Sequence, residues 1–302
     1  MTRKVHSAKA RSGSGQPDLT PEHALVSLVL AGYRKGWFLM ADPRAGPVEG
    51  TVEWVQPTSR AIIPLDERFH VPSTLQRRVR SGRFLVTTDR AFSSVIRACA
   101  AVRRDARGFS PPVRGAGGTN NVSSESGTET WLARPIIDAF ILLHKHGVAH
   151  SIEAWLPASA LPESASGARQ GGAEESVRLD LSAAPDQPPS PHVLVGGLYG
   201  LSLGRVFCGE SMFHRADLGG TDASKVCLVH LVAHLRRLGY RLLDSQIANA
   251  HIAQFGMFEI PRAQYLRQLE SAGTEAVEWG ALAPLPAPLG KRSPRRRAGG
   301  GA

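Results

Sequence analysis

The stretch from 192 to 244 constrains the fold more than any other. HVLVGGLYGLSLG and RVFCGESMF are two apolar extended runs with a turn at Ser202–Gly204 between them. After the loop HRADLGGTDAS the period changes. KVCLVHLVAHLRRLG places Leu228, Leu231 and Leu235, with Val232 and Leu238, on one stripe of a helix. Ser224 is the expected N-cap and Gly239 the expected stop. YRLLD then reads as another strand. A hairpin, a helix and a strand in that order call for an α+β sheet with helices packed on it.

The flanking segments extend the same plan. A helix is expected from the Thr20-Pro21-Glu22 cap to Gly36, with short strands near 48–55 and 61–64. VPSTLQRRVRSG reads as a helix capped by Ser73, and RFLVTT as a strand. In DRAFSSVIRACAAV, Phe92, Val95, Ile96 and Cys99 recur at helical spacing. WLARPIIDAFILLHKHG is a helix ending at Gly147, and AHSIEAW a strand. A short helix over IANAHIAQFG, a strand MFEI and a helix from Pro261 close the core. Two segments, 109–129 and 158–192, are rich in Gly, Pro, Ser and Ala and read as loop insertions outside the functional part. The expected organisation is a disordered basic arm (1–18), a small N-terminal domain (19–68), a larger domain (69–275) and a Pro/Arg-rich disordered tail (276–302).

With 302 residues, 42% of them hydrophobic, the chain can bury a sizeable core. No apolar run approaches the ~20 residues that span a bilayer. The basic start MTRKVHSAKARSGSG lacks the apolar segment of a secretory signal. Cys99, Cys208 and Cys227 lie far apart, which argues for reduced thiols in a cytoplasm rather than a disulfide framework. Of the net charge of +10, KRSPRRR alone carries five positive groups on an expected tail. QRRVRSGR at 76–83 differs, because Leu75, Val79, Phe84, Leu85 and Val86 surround it. Arg77, Arg78, Arg80 and Arg83 there form either a solvated helix face or one that meets phosphates.

Chemistry concentrates at two strand ends. Glu210 interrupts the apolar run of RVFCGESMF. Asp244 and Gln246 lie two residues apart where YRLLD runs out, a spacing that shares a face in extended chain. Both places flank one helix, so an acid, an amide and a second acid converge. His144, His146 and His150 point to different faces with no completing carboxylate or thiol, so no metal is expected. Ser211 and Cys208 sit in no nucleophile turn, and the order of residues spells no triad.

Four segments carry a resemblance: RAIIPLDERFHVPSTLQRRVRSGRFLVTTDRAFSSVIRACA, TWLARPIIDAFILLHKHGVAHSIEAW, LVGGLYGLSLGRVFCGESMF and ASKVCLVHLVAHLRRLGYRLLDSQ. Together they resemble the bacterial leucyl/phenylalanyl-tRNA–protein transferases, from about residue 22 to 270. The resemblance implies a small N-terminal domain and a larger one related to the acetyltransferase (GNAT) fold. It also implies transfer of leucine or phenylalanine, with methionine also admitted, from aminoacyl-tRNA to an N-terminal Arg or Lys of a protein. That addition marks the protein for degradation. The implied enzyme is a cytoplasmic monomer without cofactor.

An aminoacyl ester is already activated, so the need is a neutral amine held at the carbonyl; an α-amine has a pKa near ~8. By the resemblance, Gln246 hydrogen-bonds that amine, Asp244 orients the amide and Glu210 holds the acceptor. Asn249 would hold the acceptor backbone. Leu198, Leu228, Leu231 and Leu235 would line an apolar slot that separates one methylene by only ~1–3 kcal/mol. Trp155 would stack on the terminal adenosine, worth roughly 1–3 kcal/mol, with Trp54 near a second clamp and the Arg cluster on the tRNA backbone. Leu39 stands where the family has proline, and Val55 and Gln56 replace an aromatic and a serine.

Two other readings compete. An acyl-CoA N-acyltransferase would need a Q/R-x-x-G-x-G/A loop before the helix, where RADLGGTDASK stands instead. A noncatalytic RNA-binding protein would leave Glu210, Asp244 and Gln246 without a reason.

Overall fold

The computed structural model describes residues 20–41, 52–101, 132–165, 177–181 and 190–285. The expected N-terminal arm, the first insertion and KRSPRRR lie outside them. Helix α1 (Pro21–Arg34) opens at Thr20, whose hydroxyl accepts from the His23 N–H, and closes at Gly36, where φ is 78°. Strands β1 (Phe38–Ala41) and β2 (Val52–Val55) pair antiparallel as a two-stranded sheet. β1 falls on the GWFLM segment, where the sequence pattern gave no strand. The remaining elements follow the expected order: β3 (Ser59–Ile63), α2 (Ser73–Arg80), β4 (Leu85–Thr88), α3 (Phe92–Ala101), α4 (Arg134–Lys145) and β5 (Ala149–Pro157). Then come β6 (Arg178–Leu181), β7 (Ser190–Leu203), β8 (Val206–His214), α5 (Ala223–Arg237), β9 (Leu242–Asp244), α6 (Ala250–Ala253), β10 (Phe258–Pro261) and α7 (Arg262–Ala272).

The large sheet runs β10-β3-β9-β8-β7-β5-β4, with β6 beside β7. β3, from the segment expected to form a small N-terminal domain, therefore runs inside this sheet between β10 and β9. Its pairings are antiparallel except for β8 with β9, which are parallel, as a strand–helix–strand crossover requires. Strand alternation splits the core into two apolar clusters, one on each face of the sheet. Val29 and Tyr33 of α1, Val95 of α3, Phe140 of α4 and Leu269 of α7 cover one face. Leu75 of α2 and the Leu228, Leu231 and Leu235 stripe of α5 cover the other.

Four local expectations are corrected. Pro72, not Ser73, precedes α2 as its cap, and no side chain caps it. α5 starts after Asp222 (φ 68°), two residues ahead of the expected Ser224 cap; Ser224 is buried in the first turn, and the Asp222 carboxylate pairs with Lys225 Nζ at 2.9 Å. The tight turn is Gly204–Arg205, since Leu203 and Val206 already face each other. The second insertion is not all loop: β6 pairs with β7 through Arg178↔Val193 and Leu181↔Ser190, and Leu161, Ala165 and Leu181 are buried. Apolar residues spaced between Gly-rich stretches were enough to recruit part of it into the core.

The chain past 275, expected as the start of a tail, also stays on the body as far as Leu285. Trp279 is buried, stacked on the His150 ring at 4.1 Å and on Phe207 at 5.4 Å, with its indole N–H on Thr88 Oγ1 at 2.9 Å. Burial of the large indole, with its N–H satisfied, anchors this segment to the body.

One irregularity matters for function. In the β7–β8 ladder Tyr199 faces Ser211 but Gly200 faces Gly209, so Glu210 is an extra residue, a β-bulge. Gly200 permits it: a Cβ there would lie 2.3 Å from the Cys208 carbonyl oxygen and 2.4 Å from the Phe207 ring. Gly200→Ala should therefore destabilise the fold by about 1–3 kcal/mol in urea unfolding. A change within experimental error would mean that the bulge tolerates a side chain.

Candidate active site

The bulge sits where two strands part. β9 pairs with β8 only through Val206↔Leu242, Phe207↔Leu243 and Cys208↔Asp244. Beyond this, β8 continues to His214 while the other chain turns toward β3: the Ser245 N–H donates to the Ala61 carbonyl, and the Ala61 N–H to the Gln246 carbonyl. The turn puts Gln246 in the left-handed region, φ 64°, a conformation that costs a non-glycine residue about 1 kcal/mol or more. Something must hold it there. Asp244 does so, accepting the Gln246 backbone N–H on Oδ1 at 2.8 Å.

Across the gap the side chains meet. Gln246 Nε2 donates to Glu210 Oε1 at 2.9 Å, and the Tyr33 hydroxyl donates to the same oxygen at 2.9 Å. Glu210 Oε2 is buried without a partner. The residue as a whole is only half-buried. Burial pushes the Glu210 carboxyl up to about 7; the bonds from Gln246 and Tyr33 oppose that rise, the Asp244 charge adds to it, and Arg60 offsets Asp244. Tyr33 is held well above the usual phenol range by burial and by Glu210, so it remains a neutral donor.

Asp244 is 0% exposed and surrounded by donors. Arg60, itself 1% exposed, grips it with Nε and Nη2, and the Tyr265 hydroxyl donates to Oδ2 at 2.9 Å. The expectation that Asp244 orients the Gln246 side chain is corrected. Asp244 fixes the backbone of Gln246, and Glu210 holds its amide. Sequence reading missed Tyr33, Arg60 and Tyr265, which lie 177, 184 and 21 positions from their partners. A buried arginine in the apolar run RAII was the signal available for Arg60.

The other predicted residues separate. Leu198, Leu228, Leu231 and Leu235 do come together, all 4% exposed or less, in the cluster beneath α2 and α5. Tyr33, Cys208 and Tyr265 belong to the cluster on the opposite face. The residues that bond the acids and the leucines therefore belong to clusters on opposite faces of the sheet. Asn249 is exposed and caps α6, its Oδ1 accepting the Ile252 N–H at 3.0 Å.

Trp155 is corrected more sharply. It is 0% exposed, its N–H on Thr87 Oγ1 at 2.8 Å, in an apolar cluster that also takes in Leu181 and Leu179 of β6. Stacking on a base requires an open ring face, and this ring has none. Trp54 is half-buried, edge-on to Tyr33 at 6.3 Å and so close over Gly32 that a Cβ there would lie 2.2 Å from the indole. Leu39 is buried in the core, and Gln56 bonds the Lys35 carbonyl at 2.8 Å.

On the face of α2, Arg77 and Arg78 line a shallow hollow of about 400 Å³ with Thr74, Ser81 and Asp222. Arg80 bonds Gln76, and Arg83 reaches the Gly219 carbonyl at 3.1 Å, so these two are already engaged within the protein. Of the histidines, His144 bonds the Ala149 carbonyl and His150 pairs with Asp89. No described helix is long and apolar enough to cross a membrane.

Comparison with known proteins identifies one family. The family model described as leucyl/phenylalanyl-tRNA protein transferase matches residues 62–109 and 190–270, the parts that carry Glu210, Asp244 and Gln246. The chain is 38% identical to the leucyl/phenylalanyl-tRNA–protein transferase of Chlorobaculum tepidum over 82% of its length and 94% of the relative. It is 40% identical to that of Paramagnetospirillum magneticum over 83% of its length and 90% of the relative. With that of Novosphingobium aromaticivorans it shares 40% identity over 83% of its length and 72% of the relative. The chain belongs to the leucyl/phenylalanyl-tRNA–protein transferase family, enzymes that transfer an aminoacyl group from tRNA to protein.

Proposed function

We propose that this chain moves leucine or phenylalanine, with methionine also admitted, from its tRNA to the N-terminal Arg or Lys of acceptor proteins. The addition would tag them for degradation in the cytoplasm, with the enzyme acting as a monomer and without a cofactor. The observation that carries the reading is the Glu210–Gln246 pair bridging the gap between β8 and β9, with Glu210 Oε2 buried and unpartnered. A buried acceptor atom without a donor is costly unless a ligand supplies one. The acceptor α-amine is such a donor.

In this reading the amine nitrogen forms a bond to the ester carbonyl carbon, and the bond from that carbon to the ribose oxygen breaks. Glu210 takes a proton from the attacking nitrogen and passes it to the leaving ribose oxygen, which departs as a hydroxyl and leaves Glu210 ionised again. No bond to the enzyme forms. A carboxyl near 7 matches an amine near ~8 well enough to share its proton at neutral pH. Gln246 positions; an amide is a poor base. Asp244 acts through Gln246 rather than on substrate. The Leu198, Leu228, Leu231 and Leu235 cluster supplies apolar surroundings for the aminoacyl side chain from the other face, and rejects charged ones by desolvation. Arg77 and Arg78 are the candidates for tRNA phosphates, and half-exposed Trp54 is the aromatic left for the terminal adenosine.

The direct test gives the protein radiolabelled Leu-tRNA and peptides beginning with Arg, Lys or Ala, with acetyl-CoA as a control donor. Label should appear on the Arg and Lys peptides alone; transfer from acetyl-CoA instead would favour the acyl-CoA reading.

Glu210→Gln should lower kcat by roughly 10²-fold or more. In the unaltered enzyme kcat/KM should fall as pH drops through about 7, because Glu210 then becomes protonated and accepts nothing. A profile flat from pH 6 to 8 would remove the role of base. Stability should move oppositely. Between the ordinary 4.5 and about 7 the folded protein keeps a proton that the unfolded chain releases, so unfolding free energy falls as pH rises. Glu210→Gln should flatten that slope, measured by urea titration at pH 5 and 8.

Affinity for aminoacyl-tRNA should weaken with salt, and Arg77→Ala with Arg78→Ala should reduce the slope of log K against log salt by roughly 1–2. An unchanged slope would exclude these two arginines from phosphate contact.

A further inference from the structure

We infer that Arg60 is a positioning residue that sets both halves of the reactive pair, Glu210 and Gln246, through two separate arms of one guanidinium. The inference rests on the site reading above. The first arm is Nε and Nη2 on Asp244, whose Oδ1 holds the Gln246 N–H and with it the left-handed backbone that turns the amide toward the gap. The second arm is Nη1 on the carbonyl of Gly36 at 3.0 Å. Gly36 ends α1, three residues after Tyr33, and its own N–H bonds the Tyr33 carbonyl at 2.9 Å. Tyr33 is the residue whose hydroxyl fixes Glu210.

Arginine suits this post because its donors form a rigid planar fork spread over three nitrogens; lysine's three donors all radiate from one nitrogen and cannot span the same partners. The ring of Tyr265 lies against the guanidinium at 4.3 Å, and its hydroxyl, accepting from Nη2 at 3.2 Å, donates to Asp244. Phe38 lies on another side, at 5.2 Å. Arg60 thus ties β3, β9, α7 and the end of α1 at one point. It makes no hydrogen bond to Glu210 and is buried, so it acts on transfer through geometry, with its charge offsetting that of Asp244 at Glu210.

The test compares Arg60→Lys and Tyr265→Phe with the unaltered enzyme, using Leu-tRNA and an Arg-starting peptide, with circular dichroism and melting as checks on folding. Glu210→Gln and Gln246→Ala are measured in parallel. Arg60→Lys should lower kcat by about 10–100-fold, while KM for Leu-tRNA stays within about threefold, since a displacement near 1 Å is enough for such a loss. Tyr265→Phe keeps the ring and removes one of the Asp244 donors, and should lower kcat by about 3–10-fold with KM again little changed. A merely structural arginine would alter melting and active fraction without changing kcat per folded molecule.

Folded Arg60→Lys with an unaltered kcat overturns the inference. If Arg60→Lys does not fold, an unaltered kcat in Tyr265→Phe overturns it instead. Unimpaired transfer by Glu210→Gln and Gln246→Ala would instead sink the site reading itself. Inactive Glu210→Gln beside fully active Arg60→Lys would sink the positioning role alone.

Discussion

The separation of two parallel strands governs this molecule. β8 and β9 are neighbours for three residues and then diverge, because Glu210 is bulged out of one and Gln246 is turned out of the other. A sheet interior that opens in this way leaves backbone groups and side chains unpaired in a place that would otherwise be closed core. Everything nearby compensates. Gly200 makes room for the bulge, Asp244 holds the turn, and the Glu210–Gln246 bond spans the opening. Irregular backbone at the edge of regular structure is where binding groups can be aimed without weakening the scaffold that aims them.

The buried charges illustrate how such a site remains affordable. Asp244 and Arg60 are both out of water, which is costly for either alone. Together with Tyr265, Gly36 and the Gln246 N–H they satisfy one another's hydrogen bonds, and the pair adds little net charge to the interior. Glu210 is left as the titratable member near neutrality. The separation of roles follows from environment: one carboxylate beside a guanidinium, the other beside an amide and a phenol.

Much of this was legible from residue order. The change from period 2 to period 3.6 between 192 and 244 fixed the hairpin, α5 and β9, and the two polar interruptions, Glu210 and Asp244–Gln246, do converge across α5's two flanking strands. Long-range partners were not legible. Nothing near Glu210 in the chain announces Tyr33, and nothing near Asp244 announces Arg60; such contacts exist only in the folded chain, the second once β3 has been inserted between β10 and β9. The Trp155 and Trp279 outcomes share a cause. Exposure of an aromatic ring depends on what the rest of the chain lays over it, and local pattern carries no such information. Composition likewise concealed β6, because four residues paired to β7 weigh little in a segment dominated by small residues.

Cys208 draws a further meaning from the same arrangement. It is the last residue of β8 still paired with β9, and it directly neighbours the bulge through Gly209. Burial drives its thiol far above the ordinary range, and the Asp244 charge raises it again. Sulfur so placed stays protonated and unreactive. At this position, therefore, alkylating agents and peroxides meet a buried thiol rather than an exposed thiolate.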